Sequence, residues 1–230
     1  MTIVRVADLS VTLDQPVLRN VSFEIGEGES IAIIGPNGSG KTVLLKSMLG
    51  LIPYTGEIAW REGTTVGYVP QKIDADRTVP LNARNLLHSK ARVIGAPDAK
   101  IAETISRVGL SNEILSAQIG ALSGGQFQRM LIAFAILGDP DIVLFDEPTA
   151  SMDEPGEEQM HDLIHRLQQE LNITAVIVSH DLSFVYRYAT HVLCLNRRAI
   201  CFGAPRQVLT PEVLEQVFGK RAIYDHPVHS

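Results

Sequence analysis

The run Gly35-Pro36-Asn37-Gly38-Ser39-Gly40-Lys41-Thr42 constrains this chain more than any other stretch, because it dictates a strand, a loop and a helix in that order. It matches G-x-x-x-x-G-K-[ST], with the apolar residues Ile31 to Ile34 before it and a helical pattern from Lys41 to Leu49 after it. Each residue type has a task. The glycines let backbone N–H groups come close to phosphate oxygens, Lys41 reaches the outer phosphates, and Thr42 offers its hydroxyl to Mg²⁺. A strand feeding such a loop implies an α/β fold and a nucleotide ligand.

The run Ile142-Val143-Leu144-Phe145-Asp146-Glu147-Pro148 supplies a partner for that loop. Four apolar residues read as a buried strand that delivers two carboxylates at its end. Asp146 is suited to hold Mg²⁺, directly or through water. Glu147 is suited to orient or deprotonate an attacking water, which is what phosphoryl transfer asks of a protein.

Composition narrows the class further. A formal charge of -6 without a Lys/Arg-rich run argues against nucleic acid as a partner, since phosphate backbones are met by clustered positive charge. Mean hydropathy is slightly positive at +0.11, yet apolar runs such as Ile31 to Ile34 and Ala175 to Val178 are only strand-length, too short to span a bilayer. Met1 to Ser10 lacks a basic segment followed by a long apolar one, so the cytoplasm is the expected compartment. Cys194 and Cys201 form no CxxC pair and are expected to be buried and reduced. His161 and His165, four apart on an expected helix, are expected to be a solvated surface pair. His226 and His229 are too few for a closed metal site. No transported-ion site is assigned.

Along the chain, Ile3 to Glu29 alternates apolar and polar residues between turn-formers and predicts an antiparallel β-section. The stretch from about Ala83 to Leu137 is helical in pattern. Beyond it, the strands Ile142 to Phe145 and Ala175 to Val178 flank a helix from about Gly156 to Leu171. Apolar strands alternating with helices imply a mostly parallel sheet. The expected architecture is a P-loop NTPase core, residues 1–71 and 138–230, carrying the β-section and an inserted helical lobe at 72–137, all within one nucleotide-binding domain.

Between the two phosphate motifs lies Leu122-Ser123-Gly124-Gly125-Gln126, followed by Gln128 and Arg129. On physical grounds alone, a Ser and two glycines opening a helix make an anion site. The pentapeptide resembles the signature motif of the ABC ATPases. The resemblance extends over about 200 residues through Gln71, similar to that family's Q-loop glutamine, Ala150 to Asp153, similar to its D-loop, and His180, similar to its switch histidine. It implies that two ATP molecules are held between two copies of the chain. Ser123, Gly124, Gly125 and Gln126 would then serve the partner's ATP, and Asp153 would lie at the dimer seam. Gln71 would sense Mg²⁺ and the γ-phosphate, and His180 would contact the γ-phosphate and the attacking water. The family's adenine-stacking aromatic is replaced here by Leu13, which implies a weaker and less selective base contact.

A narrower resemblance, to zinc and manganese importers, rests on Val66 to Lys72, on Val192 to Asn196 continuing to Gly203, and on Phe218-Gly219 with Ala222-Ile223-Tyr224. It implies an ATPase bound to a polytopic membrane permease at the cytoplasmic face of the plasma membrane, served by a metal-binding solute receptor, with zinc first and manganese or iron next. The alternatives are an ABC ATPase without a transport role and a nucleotide-binding module that does not turn ATP over. Glu147 and His180 speak against the second.

Overall fold

The computed structural model describes residues 1–71, 81–150 and 152–219. The tail with His226 and His229, and the segment 72–80 at the start of the expected helical lobe, lie outside them. In chain order the elements are β1 (Thr2–Thr12), β2 (Pro16–Gly26), β3 (Ser30–Ile34), α1 (Lys41–Met48), β4 (Thr55–Trp60), β5 (Val66–Val69), α2 (Ala83–Ile94), α3 (Asp98–Arg107), α4 (Gly124–Ile136), β6 (Ile142–Asp146), α5 (Glu154–Leu171), β7 (Thr174–Val178), α6 (Leu182–Tyr188), β8 (His191–Leu195), β9 (Ala199–Gly203), α7 (Pro205–Val208) and α8 (Pro211–Phe218). They fall into two compact units, residues 1–64 with 174–230, and residues 65–173.

In the first unit, β1 pairs antiparallel with β2 and β4, aligning Val6 with Phe23 on one side and Ile58 on the other. This is the antiparallel section expected from the alternation of Ile3 to Glu29. The nucleotide-loop strand β3 lies between β7 and β8, parallel to both, and β9 closes back antiparallel on β8. All five residues of β3 and all five of β7 are buried, which is why both read as unbroken apolar runs rather than as alternating ones.

In the second unit, β5 and β6 are parallel, and the helices α2, α3 and α4 fill the stretch read as helical. Helix α2 begins at Asn82, whose side chain accepts the Asn85 amide at 2.8 Å, and ends at Gly95, left-handed at φ 71°. Lys90 of α2 donates to the carbonyls of Phe134 and Ala135, tying α2 to the last turn of α4. Burial lowers the Lys90 ammonium below its ordinary pKa.

Two expectations are corrected. Cys194 and Cys201 are joined by a disulfide rather than reduced. The β8–β9 register sets them directly opposite, with Cα atoms 4.9 Å apart, inside the range a disulfide spans. His161 is not solvated but 4% exposed, on a face of α5 with Met160, Leu163, Ile164 and Leu167. His161, Ile164 and Gln168 follow the i, i+3, i+7 row, so the histidine falls inside the buried stripe. His165 is partly buried beside it. Among the described residues no helix is long and apolar enough to cross a membrane.

Candidate functional site

The loop from Gly35 to Gly40 leaves the C-terminal end of β3 and enters α1. Its shape depends on absent side chains. A Cβ on Gly35 would sit 2.0 Å from the Leu195 carbonyl oxygen, and one on Gly40 would meet the Leu18 side chain at 2.5 Å. Gly38 and Gly40 are also left-handed, at φ 76° and 102°. The β8–β9 turn buttresses the loop, because Arg197 N–H donates to the Ser39 carbonyl at 3.0 Å while the Arg197 carbonyl accepts from Arg19 N–H at 2.8 Å. This wall is a part of the site that the motif did not reveal.

Lys41 is 5% exposed, and its ammonium donates to the carbonyls of Gly35 at 2.9 Å and Pro36 at 3.2 Å, folding back over the loop. The Ser39 hydroxyl, also buried, makes no hydrogen bond among the described residues. Buried polar groups are normally satisfied, so an orphaned hydroxyl within a loop of backbone amides and an ammonium fits an oxygen-rich anion such as a phosphate chain. Thr42 stands in the first turn of α1, while Pro36, Asn37 and Gly38 form the loop's more open crest.

His180 lies just past β7, exposed, with Asp181 next to it capping α6 through the Ser183 amide at 2.7 Å. Ile33 of β3 and Val178 of β7 are register partners in parallel strands. The phosphate loop and His180 therefore leave the same edge of the sheet from neighbouring strands. Leu13 follows β1 and is 51% exposed, an aliphatic surface open to a flat ligand.

In the second unit the parallel register of Val69 with Phe145 carries Gln71 and Glu147 past the same end of β5 and β6. The Gln71 side-chain amide donates to the Glu147 carboxylate. Glu147 itself is left-handed at φ 48°, a conformation uncommon for a residue with a side chain and concentrated at functional sites. Asp146 is 1% exposed, and the Tyr68 hydroxyl donates to it at 3.3 Å. Burial first, and then the Asp146 charge, push the Tyr68 phenol far above its ordinary pKa, so it acts as a donor and not as a base. Sequence reasoning missed Tyr68. The signal available was its place two residues before Val66-Gly67-Tyr68-Val69 gives way to Pro70-Gln71.

Ser123 caps α4 in a reciprocal box: its hydroxyl accepts the Gln126 amide at 3.2 Å, and the Gln126 side-chain oxygen accepts the Ser123 amide at 3.0 Å. Among the described residues the hydroxyl proton and the Gln126 side-chain NH₂ meet no acceptor, which leaves them to a ligand. Gly124 and Gly125 occupy the first turn, where the helix offers their amides no acceptor. A Cβ on either would meet nothing within 4 Å. Their smallness therefore answers to no neighbour among the described residues, and all four residues from Ser123 to Gln126 are exposed. Asp153 caps α5 by accepting the Gly156 amide at 3.2 Å and is also exposed. Of the D-loop stretch, Ser151 lies outside the described residues.

The family described as ABC transporter matches residues 18–150. The chain is 40% identical over 228 residues to the zinc import ATP-binding protein ZnuC of Paracoccus denitrificans, covering 96% of this chain and 88% of that one. It is 39% identical to the ZnuC of Cereibacter sphaeroides, covering 95% and 89%. Among solved structures it is similar to cbiO1 from Clostridium perfringens, part of the ABC transporter complex cbiONQ, with a TM-score of 0.78, 25% identity and coverage of 94% and 93%. A phosphate loop built on absent side chains, a strand ending in Asp146 and Glu147, and a capped Ser-Gly-Gly-Gln helix start all agree with this. The chain belongs to the ABC transporter family, as an ATP-binding ATPase subunit.

Proposed function

We propose that this chain powers the uptake of a divalent metal, zinc first and manganese or iron next. It would work as an ATP-sandwich homodimer on the cytoplasmic face of the plasma membrane, bound to a polytopic permease that receives the ion from a metal-binding solute receptor. The observation that carries the reading is the hydrogen bond from Gln71 to Glu147. It holds the candidate hydrolytic carboxylate by the residue from which the chain departs toward the helical segment, so a change at the phosphate can be passed to that segment. A plain nucleotide-binding module has no use for such a link.

In this reading Gly35 to Gly40 cradle the phosphates with backbone amides and Lys41 neutralises the outer ones. Leu13 packs on the base. Thr42, Asp146 and Gln71 are the residues that would hold Mg²⁺, which would offset charge on the phosphate oxygens. Asp146 suits a cation because it is buried and fixed by Tyr68. Glu147 accepts the proton of the attacking water, His180 holds that water and the γ-phosphate, and the exposed Ser123 to Gln126 with Asp153 serve the second copy. Zinc is favoured because the relatives matched over nearly the whole chain carry that name. The ATPase itself does not touch the ion.

Two measurements test the reading together: phosphate release by the purified chain, and growth of a deletion strain across a zinc and manganese limitation series. ATP turnover with a growth defect relieved by zinc supports it. Turnover with no metal-dependent defect would leave an ABC ATPase of another role.

A further inference from the structure

We propose that Cys194 and Cys201 are a thiol–disulfide exchange site for small-molecule disulfides and thiols, built into the wall of the nucleotide loop. The inference rests on the reading that this loop binds ATP. Cys194 is fully buried on β8 and Cys201 is partly exposed on β9, directly across from it. The more exposed Cys201 is therefore assigned the attacking role and the buried Cys194 the resolving one. Disulfides in reducing compartments are typically transient and redox-sensing rather than structural.

The exchange balances without any other reactant. The Cys201 thiolate attacks one sulfur of a small disulfide and expels its thiolate, leaving a mixed disulfide. The Cys194 thiolate then attacks the Cys201 sulfur, expels the second thiolate and closes the bond. The protein loses two electrons and two protons, and the small disulfide is reduced to two thiols. Excess thiol runs the sequence backwards.

The position of the pair links it to the loop. Cys194 is the register partner of Ile34, the residue before Gly35. It also precedes Leu195, whose carbonyl closes so tightly on Gly35 that a Cβ there would sit 2.0 Å away. Two residues further, the Arg197 amide holds the Ser39 carbonyl at 3.0 Å. The disulfide thus fastens both legs of the hairpin whose tip shapes the loop. Opening it gives the tip freedom that phosphate binding must remove again, a cost a preorganised loop avoids.

The test uses the purified full chain exposed to glutathione disulfide or to excess dithiothreitol. Thiol counting and peptide mapping report the bond, and titration with a fluorescent ATP analogue reports the loop. A Cys194–Cys201 link under glutathione disulfide, with ATP bound about three- to tenfold more weakly after reduction, supports the proposal. Cys201→Ser and Cys201→Ala should then bind ATP alike under both conditions. Two thiols persisting in excess glutathione disulfide would overturn the exchange site, and affinities within about twofold would overturn its coupling to the loop. Absence of ATP binding in both states would reject the nucleotide reading and with it the coupling, while the peptide map still decides the exchange site.

Discussion

Gln71 donates its side-chain amide to the carboxylate of Glu147, joining the ends of two parallel neighbouring strands in one hydrogen bond. The bond restrains a glutamate whose backbone is already held at φ 48°. One side chain is thus fixed both from its own backbone and from the strand beside it, the kind of preorganisation that positioning catalysis requires.

The same pair of strands makes a second pairing, Tyr68 with Asp146. Tyr68→Phe removes only the hydroxyl, so the apparent affinity for Mg²⁺ in the ATPase assay should weaken by about ten- to a hundredfold, the worth of one hydrogen bond to a charged group. ATP binding measured without Mg²⁺ should not change. An equal loss in both titrations would mean that Tyr68 acts on the fold and not on Asp146.

Ser123→Arg should leave nucleotide binding by the monomer intact and block hydrolysis, because Ser123 is assigned to the second copy's ATP. Its capping box adds a control, since losing an N-cap costs about 1 kcal/mol. Ser123→Asp keeps the cap while setting a negative charge against a phosphate, and should block hydrolysis at unchanged melting temperature. Loss of monomer ATP binding in both variants would place the whole site in one subunit.

The first turn of α2 exposes Arg84 and Asn85. If this surface receives the permease, Arg84→Glu with Asn85→Arg should spare basal ATPase activity in the purified chain and abolish metal uptake in cells. Unchanged uptake at normal expression would show that the permease docks elsewhere.

The strands bearing the two phosphate motifs were legible because each is buried on both faces and so reads as an unbroken apolar run. The strand-to-helix order around Lys41 followed from the motif itself. The Cys194–Cys201 bond was not legible. Pairing depends on register, and the irregularity between Cys194 and Leu195 shifts it in a way composition does not record. His161 was misread because a polar residue beside the Met160, Leu163 and Leu167 row is buried by its angle on the helix, not by its own hydropathy. The hairpin wall around Gly35 depends on a contact across some 160 residues of sequence, beyond any local motif.

The central claim is that Glu147 is the hydrolytic carboxylate of an ATPase, and Glu147→Gln tests it most directly. The amide keeps the shape and can still meet Gln71, but it does not accept a proton. Phosphate release should fall by about 10²- to 10⁴-fold while equilibrium ATP binding is retained and an ATP-bound dimer accumulates. Lys41→Ala, by contrast, should weaken ATP binding itself by about ten- to a hundredfold, the worth of charge-assisted hydrogen bonds. Phosphate release at the wild-type rate from Glu147→Gln would contradict the account.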